Sequence, residues 1–127
     1  MEKARSITRT RTLYERLGGE TGVRSLGDDI LDKNLNNPKI GHYFQCIDMT
    51  NLKQLVFEFF SNGIGGPHEY TGRDMLSAHT GLNISERDFE IANEDTIHVL
   101  KEHGVGDKEI DEVIAILNSL KDQVVHQ

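Results

Sequence analysis

The chain has 127 residues, 36% hydrophobic and 28% charged, with a net charge of −7 and a single cysteine. That is one domain's worth of sequence with enough apolar residues for a core, and no apolar run approaches the roughly 18 residues that a membrane span needs. The acidic balance argues against nucleic acid as a partner, and Cys46 alone excludes an internal disulfide or a multi-cysteine metal site, which fits a reducing cytoplasm.

Charge is uneven along the chain. Lys3, Arg5, Arg9 and Arg11 face only Glu2 in the opening segment, yet this head has neither the apolar run of a targeting peptide nor an organised apolar face. Residues 1–11 read as a basic extension and residues 12–127 as the domain. Leu13-Tyr14-Glu15-Arg16-Leu17 makes one or two helical turns closed by Gly18-Gly19, whose missing side chains permit a reversal. From Glu20 to about Leu35, Val23, Leu26, Ile30, Leu31 and Leu35 fall at a helical period. Gly27 is the weak point, where another helix could approach closely. Asn36-Asn37-Pro38 ends that helix, Ile40 to Phe44 form a short apolar turn, and Asp48 caps the next helix.

That helix, Met49 to about Asn62, places Leu52, Leu55, Val56, Phe59 and Phe60 on one wide apolar stripe, which must be covered. Gly63, Gly65, Gly66 and Pro67 then break it. A polar loop follows, and a short helical turn delivers His79 beside Met75 and Ala78. From the residues alone, His79 is either a buried structural histidine or a metal ligand. Ser85, with Asp88 three positions on, opens a helix to about Glu102 with Phe89, Ala92, Thr96, Val99 and Leu100 inward and Gly104 as its stop. Asp107 caps the last helix, which repeats Ile110, Val113, Ile114, Leu117, Leu120 and Val124. No segment alternates as a half-buried strand does, so the fold class is all-α. The loop before His79 is longer than a simple four-helix bundle needs. One arrangement that uses it sets the helices before and after the loop on opposite sides of a flat apolar ligand, with His79 aimed at one face.

Several motifs recur in order: Leu13-Tyr14-Glu15-Arg16-Leu17-Gly18-Gly19, Tyr43-Phe44, and Asp48-Met49 leading to Leu52-Lys53 and Glu58-Phe59-Phe60. After them come Gly65-Gly66-Pro67, Tyr70-Thr71-Gly72, Met75 with His79, and Gly104-Val105. Together they resemble the group I (N-type) truncated hemoglobins, from about Thr12 to Val125. The resemblance implies a two-over-two globin fold around heme b (iron protoporphyrin IX), with His79 as the proximal iron ligand and Met75 beside it. It also implies that Phe44 packs on the heme face and that Phe59 and Phe60 belong to the heme wall and ligand tunnel. Heme propionates need cations or donors, for which Arg73, Lys53 and Tyr70 are the nearby candidates.

The distal side departs from the family. Group I members usually place a tyrosine on the second helix and glutamines on the distal helix, and the matching positions here are Leu31, Leu52, Leu55 and Val56. Losing a charge-assisted hydrogen bond of about 1.5–3 kcal/mol lowers dioxygen retention roughly ten- to a hundredfold, and carbon monoxide should lose much less. The other histidines read as surface residues: His68 in the loop, His98 and His103 on or after a polar helix face, and His126 in the tail. His42 lies close enough to Phe44 to touch a heme edge. No histidine falls on the distal stripe, so the ferrous iron is expected to be five-coordinate.

The implied function is reversible binding of O2, CO and NO, with NO dioxygenation or weak peroxidase activity as candidate reactions. The expected setting is a cytoplasmic monomer served by a reductase, with no membrane or nucleic-acid partner. A heme-based gas or redox sensor, or an electron-transfer module signalling through a partner, is a second reading. A helical interaction protein without cofactor is a third, marked by a preparation with no Soret band.

Overall fold

The computed structural model describes residues 11–127, so the expectation for the basic head falls, but for Arg11, outside the described residues. Thr12 starts helix α1 (Leu13–Arg16) with a capping box: its hydroxyl accepts from the Glu15 amide at 3.1 Å, and its own amide donates to Glu15 Oε1 at 2.9 Å. Gly18 and Gly19 take φ of 103° and 67°, which reverses the chain at little steric cost. Gly19 does not close α1 but already begins α2 (Gly19–Asn36). Arg16 forks to Glu109 and Glu112 at 2.7 Å each, tying α1 to the last helix.

Helix α2 is the hub. It packs against α1, against the 3-10 turn Gly41–Phe44, against α3 (Met49–Gly63) and against α5 (Glu86–Glu102). At the α2–α3 crossing Gly27 faces Val56; a methyl placed there would sit 3.9 Å from Val56 Cγ1, an ordinary contact, so the glycine is tolerated there and not required by a close approach. Helix α5 packs in turn on α6 (Asp107–Ser119). Two helix pairs, α2 with α3 and α5 with α6, therefore make the frame. The five-residue helix α4 (Met75–His79) stands apart and rests on the 3-10 turn Lys121–Gln123. Among the described residues there is no strand, only an isolated parallel bridge between Ile84 and Val125.

Three expectations need correction. Gly106, not Asp107, holds the cap position of α6; Asp107 is its first helical residue, where its charge suits the helix N-terminus. Helix α6 also ends at Ser119, so Val124 is buried in the segment beyond it rather than on a continuing helical face. On α5, Phe89 and Ala92 are only half-buried, while Ile91 and Asp95 are buried with Thr96, Val99 and Leu100.

The core consists of Leu13, Tyr14, Val23, Leu26, Phe57, Ile64, Val99, Leu100, Ile110 and Val113. None of these comes from α4. From α3 only Phe57 and Ser61 are fully buried; Leu52, Leu55, Val56, Phe59 and Phe60 all remain half-buried. The widest apolar stripe in the chain is thus left partly uncovered by protein, whereas Phe57, at 2% exposure, fills the core from another side of the helix beneath the Arg24 guanidinium, 4.0 Å away.

Candidate functional site

The glycine-rich loop is fastened to α3 rather than projecting from it. Gly65 adopts φ 94°, and the Gly66 amide donates to the Ser61 carbonyl at 2.6 Å. His68 then folds back: its Nδ1 pairs with the Ser61 hydroxyl at 2.7 Å and its ring packs edge-on to Phe57, with centroids 4.6 Å apart. His68 is therefore a half-buried clamp of the loop and not the surface histidine expected from its position in a polar segment. Further on, Glu58 Oε1 accepts from both the amide and the hydroxyl of Thr71, at 3.0 and 2.7 Å. These bonds hold the Glu58 carboxyl below its ordinary range. The Tyr70 ring lies against Phe59, centroids 5.2 Å apart, and Phe59 against Phe60 at 5.7 Å.

With the loop fixed, Asp74 opens α4 by accepting from the Ser77 amide at 3.1 Å. One turn later His79 is half-buried, and its Nδ1 lies 2.8 Å from the Met75 carbonyl. A carbonyl only accepts, so Nδ1 carries the proton, and the lone pair of the neutral ring lies on Nε2. Nε2 has no hydrogen-bond partner among the described residues. Leu76 and Leu82, three residues to either side of His79, are 43% and 40% exposed, and Ile47, just beyond Phe44, is 46% exposed. Large aliphatic groups left exposed in the segment that carries an available imidazole nitrogen fit an apolar prosthetic group better than water.

The donor set gives the same answer. No group of three His, Cys, Asp or Glu capable of holding a metal exists among the described residues. A metal on His79 must therefore bring its remaining ligands with it, as a porphyrin iron does. Heme thus fits the side chains present.

The other expected residues divide by location. Phe44 is half-buried in the 3-10 turn, which its neighbour Tyr43 pins to the start of α5 by donating to Asp88 at 2.7 Å. Burial, then that hydrogen bond, push the Tyr43 hydroxyl up to about 12. Leu31 is buried on α2, and Leu52, Leu55 and Val56 are half-buried on α3. Of the propionate candidates, Lys53 pairs with Asp32 at 2.8 Å and Tyr70 donates its hydroxyl to the Arg73 carbonyl. Arg73 is exposed, with a single contact at 3.3 Å to the Ser77 carbonyl. His42 is exposed and stacked on Tyr43, His98 pairs with Glu102, and His103 pairs with Asp29 at 2.7 Å. Sequence reasoning missed Ser61, His68 and the Glu58–Thr71 pair, the parts that aim the loop.

Residues 12–126 match the family model for bacterial-like globins. A group 1 truncated hemoglobin of Tetrahymena pyriformis is 31% identical over 111 residues, 87% of this chain and 92% of that one. A group 1 truncated hemoglobin of Synechocystis is 35% identical over 109 residues, 83% of this chain and 88% of that one. Among solved structures, the ferric Tetrahymena pyriformis protein superposes with a TM-score of 0.88 at 29% identity, covering 92% of this chain and all (100%) of that one. The same protein is also solved as one tyrosine and two glutamine variants. The two-over-two hemoglobin of Synechococcus, with covalently attached heme, gives a TM-score of 0.81 at 28% identity, covering 89% and 95% of the two chains. The chain is a member of the bacterial-like globin family, a truncated hemoglobin of group 1 and hence a gas-binding heme protein.

Proposed function

We propose that this protein binds diatomic gases reversibly at an iron held by His79, in a pocket whose nearest distal residues offer no hydrogen bond. The observation that supports it is the state of His79: Nδ1 is engaged by the Met75 carbonyl at 2.8 Å, Nε2 is available, and Leu76 and Leu82 stand open on either side. The Met75 bond fixes the tautomer and the ring orientation, and it makes the imidazole a stronger electron donor. When bound, the heme supplies the site for O2, CO or NO. Held by His79, a bound heme would also supply the redox chemistry that NO dioxygenation needs, with a reductase as the electron source.

The chain's own contribution on the other face is to exclude water and leave a passage. Leu31, Leu52, Leu55 and Val56 do the first. Phe59 and Phe60, in mutual edge contact, form the wall beside which the gas enters. An aliphatic surround holds dioxygen roughly ten- to a hundredfold less well than one with a direct donor worth about 1.5–3 kcal/mol. Fast exchange, nitric oxide turnover or redox sensing through a partner suit such a site better than dioxygen storage. Phe44 packs on the heme face in this reading, and Arg73 is the cation best placed to meet a propionate.

Absorption spectra of the hemin-loaded chain, ferric and ferrous, with and without carbon monoxide, test the assignment. A five-coordinate ferrous form that takes up CO is expected. A low-spin bis-histidine spectrum, or no Soret band, overturns it. Leu31→Tyr should slow dioxygen release by ten- to a hundredfold if residue 31 lies over the iron, on the same estimate of roughly 1.5–3 kcal/mol.

A further inference from the structure

Asn34 is only 8% exposed, and its Oδ1 is the one buried side-chain nitrogen or oxygen without a hydrogen-bond partner among the described residues. It follows Leu31 by three residues and Gly27 by seven, so the three share one face of α2. That face meets α3 at Gly27, where a methyl would lie 3.9 Å from Val56. At its other end it meets the turn that carries Phe44. A Cβ on Gly41 would lie 3.8 Å from the Asn34 carbonyl oxygen, and the Gly41 amide donates to the Asn37 carbonyl at 2.7 Å. Asn34 thus shares its helix face with Leu31, read as covering the iron, and its backbone lies against the turn bearing Phe44, read as lying on the heme face.

The neighbouring polar groups do not use it. Asn37, one turn on, gives its amide to both oxygens of Asp95 at 3.1 and 3.3 Å, and Thr96 donates to the Ala92 carbonyl at 3.0 Å. An amide buried without a partner is destabilising, and a leucine would fill the same volume at no such cost. What keeps an amide tolerable there is a molecule that the chain does not supply. Asn34 stands about one helical turn, roughly 5 Å, from Leu31 along the same helix face, a separation that one bridging water spans.

We propose that Asn34 is the polar group of the gas pocket: its amide anchors a single water that hydrogen-bonds the bound gas, recovering part of the dioxygen retention that the four aliphatic residues forgo. The proposal rests on the reading of His79 and Leu31 above. It assigns a gas-discriminating role to a residue outside the four aliphatic distal positions. A water so held favours dioxygen, which is polar when bound, and is nearly indifferent to carbon monoxide.

The test is Asn34→Leu in the full heme-loaded chain. Dioxygen release should quicken by roughly tenfold while CO release stays within about twofold, and the C–O stretching band of the CO form should move to higher frequency. In the heme-free chain the same substitution should raise the denaturation midpoint, because a buried polar group served only by water gives way to an apolar side chain of similar volume. Asn34→Ala, which leaves space for a water but no amide to hold it, should also quicken dioxygen release, and it carries the test if the leucine variant does not fold. A stabilised heme-free variant whose dioxygen rate and C–O band are unchanged would place Asn34's partner away from the gas and overturn the proposal. Failure of the underlying reading looks different: the unaltered chain would then show no His79-dependent Soret band.

Discussion

Replacing Gly66 by alanine tests whether the loop is clamped to α3 as its contacts indicate. A Cβ at residue 66 would lie 2.6 Å from Cδ1 and 2.8 Å from Cε1 of Tyr14, and closer still to the Ser61 hydroxyl. Carbon atoms pack at about 3.5–4.0 Å, so something must move by roughly 1 Å. Neither neighbour can give way easily. Ser61 is 0% exposed within a helix, and Tyr14, at 9%, belongs to the core and holds the Ile64 carbonyl through its amide at 3.0 Å. The loop must therefore peel back, which strains or breaks the Gly66–Ser61 backbone bond and the Ser61–His68 bond. Overpacking costs about 1–3 kcal/mol and each lost hydrogen bond about 1 kcal/mol, so a loss of roughly 2–4 kcal/mol is expected.

Urea unfolding of the heme-free chain, followed by circular dichroism, measures that loss. Gly63→Ala is the control, since nothing lies within 4 Å of a Cβ built there and the position is helical. It should be neutral or stabilising by up to about 1 kcal/mol. A Gly66→Ala variant within about 0.5 kcal/mol of the parent, with an unchanged slope, would mean that the loop does not press on Ser61 and Tyr14, and the description of the clamp would fail.

Three other outcomes follow from the same geometry. His79→Ala should abolish the five-coordinate ferrous spectrum and regain it with added imidazole, while the urea midpoint of the heme-free chain barely changes, because α4 contributes nothing to the core. Glu58, whose carboxyl is held low chiefly by Thr71 and then Gln54, steadies the loop fully above the ordinary glutamate value of 4.5 and loses that contribution as pH falls through its lower folded value. Glu58→Gln should therefore flatten the acid limb of a stability-against-pH curve, and an unchanged limb would refute the role of this pair. Deleting residues 126 and 127 removes the bonds from the His126 amide to the Ile84 carbonyl and from the Asn83 amide to the Gln127 carbonyl, both 2.8 Å, and spares the buried Val124 and Val125. With the segment behind α4 released, hemin transfer to apomyoglobin should run roughly tenfold faster, as expected for two bonds of about 1 kcal/mol each acting in part.

The helices were legible because each carries apolar residues at three- and four-residue spacing between strong stop signals; Asp48 and Ser85 cap as expected, and Gly104, at φ 78°, follows the end of α5. His79 was legible only as two alternatives until the motifs around it were taken together. Periodicity reports which residues are apolar, not which of them protein will cover. The stripe from Leu52 to Phe60 therefore reads only as a face that something must cover, while Phe57, off that stripe, is the α3 residue that fills the core. His68 read as a surface residue because loops usually run over the surface. The reversal at Gly65 brings it onto Ser61, seven residues earlier, a pairing that no local pattern announces. Asp107 misled for a related reason: an acidic residue suits both the cap and the first turn, and only the extended backbone at Gly106 decides between them.

Helix α3 joins the two halves of this molecule. Through Phe57 and Ser61 it belongs to the packed half, bonded to Tyr14, Arg24 and the loop; through Leu52, Val56, Phe59 and Phe60 it belongs to the half that protein leaves partly open. The proximal helix has no such anchorage of its own. It hangs between a loop fastened to α3 by Glu58 and His68 and a C-terminal segment fastened to Ile84. Helix α4 is thus held by two short tethers and by the Lys121–Gln123 turn rather than by extensive packing on α3. A ligand that covered Leu76, Leu82 and the open α3 stripe would gain their burial, and its binding free energy would add to the stability of the folded chain. The main core cluster takes no residue from α4, so a heme held at His79 would add apolar contacts where the described residues supply few, as well as supplying the chemistry.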